Sequence, residues 1–187
     1  MGALDEAGWA QLEQLTELER LAVHGGNLSA GREDRLAHIA DLTSLRVLDL
    51  SSTRLTDASL THLEALTGLR ELDLAMNQLG GGGLVHLRGL TGLRVLRLDD
   101  NYLGRLGILA SFTNLEVLSL ARCLFDGSEL SHLVGLTRLR ELHLEDTRVE
   151  DADVAVLAEM SGLELHVASD RVSDATCRSL PGVRCVR

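Results

Sequence analysis

The residues best equipped for chemistry lie toward the C-terminal end, where His143 and His166 stand among Glu141, Glu145 and Glu164. Two imidazoles and a carboxylate suit a first-row divalent metal, which could activate a water molecule. Two features count against it. His166 falls in a stretch one residue shorter than its counterparts, which leaves its facing open, and no groups that would orient the ligands are visible. The expectation is therefore no metal and no cofactor. His62, His86 and His132, with His38 near them, recur at one position of a repeated pattern and could act as a pH-sensitive row, but duplication alone accounts for the recurrence. The Gly80–Gly83 run lacks the following Lys of a phosphate loop. Nothing in the Ser, His and Asp residues marks a nucleophile turn.

Composition narrows the field further. The chain has 187 residues, a formal net charge of −10 and 18 basic residues, all of them Arg. Without Lys there is no amine for Schiff-base chemistry. The acidic balance repels phosphate backbones and anionic lipid, so neither nucleic acid nor membrane is an expected partner. Residues 1–10 show no basic-then-apolar leader pattern, and no apolar run is long enough to span a bilayer. The three cysteines, Cys123, Cys177 and Cys185, have no metal-ligand spacing and form no secreted framework. They are expected as free thiols in a reducing, cytoplasmic setting, although Cys177 and Cys185 are close enough in sequence to meet.

The elements that would position these residues come from a repeat. Of the 187 residues 42 are Leu, against two Phe, one Tyr and one Trp. Leu42-Thr43-Ser44-Leu45 returns as Leu66-Thr67-Gly68-Leu69, Leu90-Thr91-Gly92-Leu93, Phe112-Thr113-Asn114-Leu115, Leu136-Thr137-Arg138-Leu139 and Met160-Ser161-Gly162-Leu163, in steps of 24, 24, 22, 24 and 24 residues. Leu15-Thr16-Glu17-Leu18 fits the same frame. Within each unit two leucines, such as Leu48 and Leu50, alternate at the period of a strand. Leu60, Leu63 and Leu66 then recur at helical spacing. One such unit buries too little apolar surface to offset the entropy of ordering its backbone, so the units must stack.

The full pattern, L-x-x-L-x-x-L-x-L-x-x-N/T/C-x-L, is carried by Leu66, Leu69, Leu72, Leu74, Asn77 and Leu79 and by their counterparts. At these residues the chain resembles the leucine-rich repeat family, in its bacterial type of about 24 residues per repeat. The resemblance implies an α/β fold: a right-handed, curved solenoid with a parallel sheet of about seven strands on its concave face and short helices on the convex side. It also implies that the polar residues Thr53, Asn77, Asn101, Cys123, Thr147 and Asp170 form an inward ladder satisfying backbone groups of the turn. One domain over 1–187 is expected, with a capping helix in 1–14, repeats over 15–172 and a half repeat in 173–187. Trp9, Leu12 and Leu15 match the spacing of Leu60, Leu63 and Leu66 and so should cover the first strand. The short unit around Gly104 to Ser111 should hold a tighter turn in place of its helix, and the Gly80–Gly83 run should loosen the helix start of its own unit.

Residues that alternate with the strand leucines should face outward in three columns. The first is Arg20, Val47, Glu71, Val95, Val117, Glu141 and Glu164. The second is Ala22, Asp49, Asp73, Arg97, Ser119, His143 and His166. The third is His24, Ser51, Ala75, Asp99, Ala121, Glu145 and Ala168. Seven acids and two Arg give this face a net charge of 2 − 7 = −5, half the total. Acids opposed on adjacent strands cost stability, a local conflict expected at functional sites. The rim adds Met76, Asp100, Tyr102, Arg122, Leu124 and Asp146. The expected partner-binding set is Asp49, Glu71, Asp73, Met76, Arg97, Asp99, Asp100, Tyr102, Arg122, His143, Glu145 and Asp146. The expected function is non-catalytic: an adaptor or scaffold binding a protein with a basic surface. The second reading is an inhibitor or immunity protein that masks a basic toxin or nuclease. The third is a metal-dependent enzyme at the His143/His166 corner.

Overall fold

The computed structural model describes residues 6–25, 28, 34–168 and 170–187. Eight short strands form one parallel sheet in sequence order: β1 (Arg20–Ala22), β2 (Val47–Asp49), β3 (Glu71–Asp73), β4 (Val95–Arg97), β5 (Val117–Ser119), β6 (Glu141–His143), β7 (Leu163–His166) and β8 (Val183–Val186). The register is uninterrupted, Leu48 lying beside Leu72, Leu72 beside Leu96, and so on through Leu118, Leu142 and Leu165 to Cys185. The fold is the right-handed leucine-rich-repeat solenoid that the repeat implies, with its parallel sheet on the concave face. It has one strand more than expected, because 173–187 contributes a helix, α4 (Asp174–Ser179), and β8. Ser173 caps α4, its hydroxyl oxygen accepting from the Thr176 N–H.

On the convex side α2 (Asp34–Ala37) and α3 (Asp151–Val154) join α4 as α-helical turns, and most of the expected helices are 3₁₀ segments: Asp57–Leu63, Gly83–Leu87, Gly107–Ser111, Gly127–Leu133 and Ala155–Glu159. Adjacent strands are about 4.8 Å apart, whereas an α-helix with side chains needs about 10 Å, so a tighter coil suits the narrow pitch. Leu60, Leu63 and Leu66, three apart, then line one edge at three residues per turn. The Gly80–Gly83 run does more than loosen its segment. A side chain on Gly81 would run into the Leu103 carbonyl, and one on Gly83 would lie 2.6 Å from the Asp57 Cα. The glycines allow this unit to close on its neighbours. Their segment spans 5 residues where Asp57–Leu63 spans 7. The short unit keeps only Gly107–Ser111, the tighter turn expected there.

The core is a continuous leucine stack with Phe112 inside it. Beside the stack runs the polar ladder. Asn77 donates from Nδ2 to the Leu50 and Leu74 carbonyls, at 3.0 and 2.9 Å, and its Oδ1 accepts from the Leu55 N–H at 2.8 Å. Asn101 repeats this one unit on, donating to Leu74 and Leu98 and accepting from Leu79. Thr53, Cys123 and Thr147 each donate to a turn carbonyl. Asp170 does not join them. It is exposed, because the shortened stretch before it changes the course of the last turn.

The ends depart from the sequence reading in two further places. The N-terminal helix is α1 (Glu6–Leu12), and residues 1–5 of the expected capping segment lie outside the described residues. Trp9 is buried as expected, but Leu15 is 48% exposed, since the helix ends before it and the chain turns. At the other end Cys177 and Cys185, expected as free thiols, form a disulfide that ties α4 to β8, with a Cα separation of 5.8 Å. Continuation of the sheet into β8 brings the two together.

Two substitutions test this architecture in denaturant melts. Leu72→Ala empties a fully buried position and is expected to cost about 2–5 kcal/mol. Asn101→Ala leaves the buried Leu79 N–H without its acceptor and removes one of two donors from the Leu74 and Leu98 carbonyls, and is expected to cost about 1–3 kcal/mol.

Candidate partner-binding face

Strand register settles the outward columns. Arg20, Val47, Glu71, Val95, Val117, Glu141 and Glu164 lie side by side, and Arg184 of β8 extends the row. Ala22, Asp49, Asp73, Arg97, Ser119, His143 and His166 form the second row, which ends at Val186. The facing of His166 is thereby fixed beside His143. Arg184 is the residue the sequence reading missed. The alternation Val183-Arg184-Cys185-Val186, parallel to Leu163-Glu164-Leu165-His166, was the available signal.

The acids at the centre have local duties as well. Asp49 Oδ1 accepts from the Ser51 N–H and Asp73 Oδ1 from the Ala75 N–H, both at 2.9 Å. Asp99 turns toward β5, where it accepts from the Ser119 hydroxyl and, at 3.0 Å, from the Ala121 N–H. One oxygen of Asp49 and of Asp73 thus finishes the turn after its own strand, and one of Asp99 the turn after β5. The charge still carries a penalty at Asp73. Burial holds its carboxyl above the ordinary 3.8, with Asp49 and Asp99 adding to the effect while the Ala75 N–H and Arg97 oppose it.

Rim residues Met76, Asp100, Arg122 and Asp146 share an uncommon backbone state, with φ between 54° and 57°. Each directly precedes a ladder residue, so the turn that feeds Asn77, Asn101, Cys123 or Thr147 inward forces its predecessor into the left-handed region. Side chains rather than glycine occupy these positions, at a cost of about 1–3 kcal/mol each. Arg122 and Asp100 form a paired contact, at 2.8 Å from Nε and 2.6 Å from Nη2. Tyr102 and Met76 are the most exposed of the large apolar side chains described, at 68% and 58%, and Leu124 is also exposed.

At the C-terminal end the rings of His143 and His166 stack, with centroids 4.1 Å apart. Glu145 lies against them, its Oε1 3.2 Å from His143 Nδ1 and 3.9 Å from His166 Nδ1. The structure thus brings together the two histidines and, of the three carboxylates that the sequence placed near them, Glu145. On the convex side His86 faces Glu64 and His132 faces Glu129, so these two meet carboxylates rather than one another. Cys123 is buried within the ladder. Burial pushes its thiol up to about 12, which makes it a structural group rather than a nucleophile.

Residues 43–103 match the family model described as leucine rich repeat. Among solved structures the chain is similar to an internalin from Listeria monocytogenes str. 4b F2365, at 21% identity and a TM-score of 0.71. That match covers 97% of this chain and 56% of the internalin, so the chain spans little more than half of that protein. It is also similar to internalin C2 from the same organism, at 25% identity and a TM-score of 0.62, covering 95% of this chain and 84% of that one. No curated protein sequence matches. Among the described residues no helix is long and apolar enough to cross a membrane.

Asp73 makes the penalty on the acidic rows measurable. Its carboxyl holds a proton more tightly in the folded chain than in the unfolded one. Its contribution to stability is therefore fully present below the ordinary 3.8 and is lost as the pH rises through the elevated value. Asp73→Asn keeps the acceptor for Ala75 and removes the charge. It is expected to raise stability at neutral pH, with the gain vanishing below about pH 4 in melts across the pH range. By its repeated motif, its eight-stranded parallel sheet and its structural neighbours, the chain has the leucine-rich-repeat fold, and residues 43–103 match the leucine rich repeat family.

Proposed function

We propose that the chain is a non-catalytic adaptor or scaffold that holds a protein with a basic surface against its acidic concave face. One observation carries this reading: Asp73 stays on the face, beside Asp49 and near Asp99, although burial and its acidic neighbours work against its charge. A partner's Arg and Lys would relieve that repulsion and would also be steered toward the face during approach. Met76, Tyr102 and Leu124 supply apolar and aromatic anchors at the rim. An inhibitor or immunity protein masking a basic toxin or nuclease would use the same face. It would differ in forming a tight, stoichiometric complex whose association rate falls steeply with salt.

The test compares capture by wild type with capture by Asp49→Asn/Glu71→Gln/Asp73→Asn, which preserves the acceptor oxygens and removes three charges. A basic protein held by wild type and at least about tenfold more weakly by the variant supports the proposal. Equal retention moves the site off these columns.

The location proposed from the sequence is the cytoplasm, and the Cys177–Cys185 bridge bears on it, because disulfides persist in oxidising compartments. Thiols counted under denaturing conditions, in protein taken from its source cells, decide the matter. Three thiols keep the cytoplasmic proposal, and one, from Cys123, replaces it with an oxidising compartment.

A further inference from the structure

We propose that His143, Glu145 and His166 form a binding site for a divalent transition metal, with zinc the ion that the ligand set fits best. Two imidazoles and one carboxylate are a donor set that zinc takes readily. Two strands and the turn after β6 bring the three together, so no loop has to close to make the site. Their candidate ligand atoms all lie within 4.8 Å of one another. Tetrahedral zinc, with bonds of about 2.0–2.1 Å, places neighbouring ligand atoms about 3.3 Å apart. The 3.2 Å from His143 Nδ1 to Glu145 Oε1 already meets this, and the 3.9 Å from His166 Nδ1 needs a shift of a fraction of an ångström.

Two independent observations point to a ligand. Glu145 Oε2 is covered, although the side chain as a whole is 38% exposed, and it has no hydrogen-bond partner among the described residues. An orphaned carboxylate oxygen of this kind is costly unless a cation meets it. The second observation is the support behind the imidazoles. With each Nδ1 turned toward Glu145, each Nε2 faces another carboxylate: His166 Nε2 lies 3.3 Å from Glu164, and His143 Nε2 lies 3.8 Å from Glu141. Arg184 Nη1 in turn holds Glu164 at 3.1 Å. Carboxylates behind metal-bound histidines fix the tautomer and strengthen the ligand. These are the orienting groups that the sequence did not reveal.

The rings lie within 19° of parallel, and the lone pairs of stacked rings do not converge on one point. Metal uptake therefore splays the stack by rotation about the Cβ–Cγ bonds, for which the partial exposure of both rings leaves room. The three protein ligands leave the fourth position of a tetrahedral ion to water. No reaction is assigned to the site. His143 and Glu145 also belong to the expected partner-binding set, but the partner test alters Asp49, Glu71 and Asp73 and leaves the zinc ligands intact, so failure of one reading is distinguishable from failure of the other.

The experiment is calorimetric titration of zinc chloride into chelator-treated wild-type protein and into His143→Ala, His166→Ala, Glu145→Gln and Glu164→Gln, each shown to be folded by circular dichroism. Ring-proton spectra of the histidines are recorded in parallel. The expected result is one zinc per chain in wild type, with movement of the His143 and His166 ring signals alone. Each ligand variant should lose most of the affinity, and Glu164→Gln should bind about 10–100-fold more weakly. No uptake by wild type overturns the proposal, leaving Glu145 and the two histidines as a hydrogen-bonded cluster only. Uptake that survives in all three ligand variants, or that moves the rings of His24, His62, His86 or His132 instead, overturns it equally.

Discussion

The hydrogen bonds of the inward ladder are the constraint on which the rest of the molecule depends. A parallel strand of three residues followed at once by a turn leaves carbonyls pointing into an apolar interior. Asn77 and Asn101 resolve this by reaching across two units, each joining its own turn to the strand end before it. The side-chain amide stands in for the backbone partners that a longer strand would have supplied. Leucine burial provides most of the driving force for stacking, but it has no direction. The ladder supplies direction and holds the step from one unit to the next.

The outer surface inherits its form from that arrangement. To send an asparagine inward, the preceding residue enters the left-handed region, and Met76, Asp100, Arg122 and Asp146 are carried to the rim as a result. Strand spacing then lines up equivalent residues in rows, and like charges meet because repetition copies them. Asp49 and Asp73 show both sides of this. One oxygen of each is used by the turn, and the remaining charge is left facing its neighbour.

Much of this was legible in the sequence, because the period of two within a strand and the step of about 24 between units are both written in leucine. The three outward columns followed directly, and Asn77 and Asn101 fell into place as ladder residues. What escaped depended on atoms rather than period. Five to seven residues with leucines three apart do not separate a 3₁₀ segment from an α-helix, and the narrow strand pitch decides it. Leu15 kept its place in the spacing but lies past the end of α1. Asp170 kept its place in the pattern but follows a shortened stretch. The pairing of Cys177 with Cys185 required knowing that the sheet runs on into β8, and the placement of Glu141 and Glu164 behind the two histidines required side-chain positions that spacing does not give.

The slender convex segments have a consequence for shape. In a stacked coil the inner arc is set by strand separation and the outer arc by the bulk of whatever backs the strands. Tight 3₁₀ turns on the outside make the two arcs more nearly equal, so the stack bends gently. Gly83–Leu87, Gly107–Ser111 and Ala155–Glu159 span only five residues each, so they add little bulk to the outer arc. A gently bent stack offers a broad, shallow trough rather than a cleft. Its natural complement is an extended surface that touches many rows at once, each contributing little, and not a single projecting element gripped in depth.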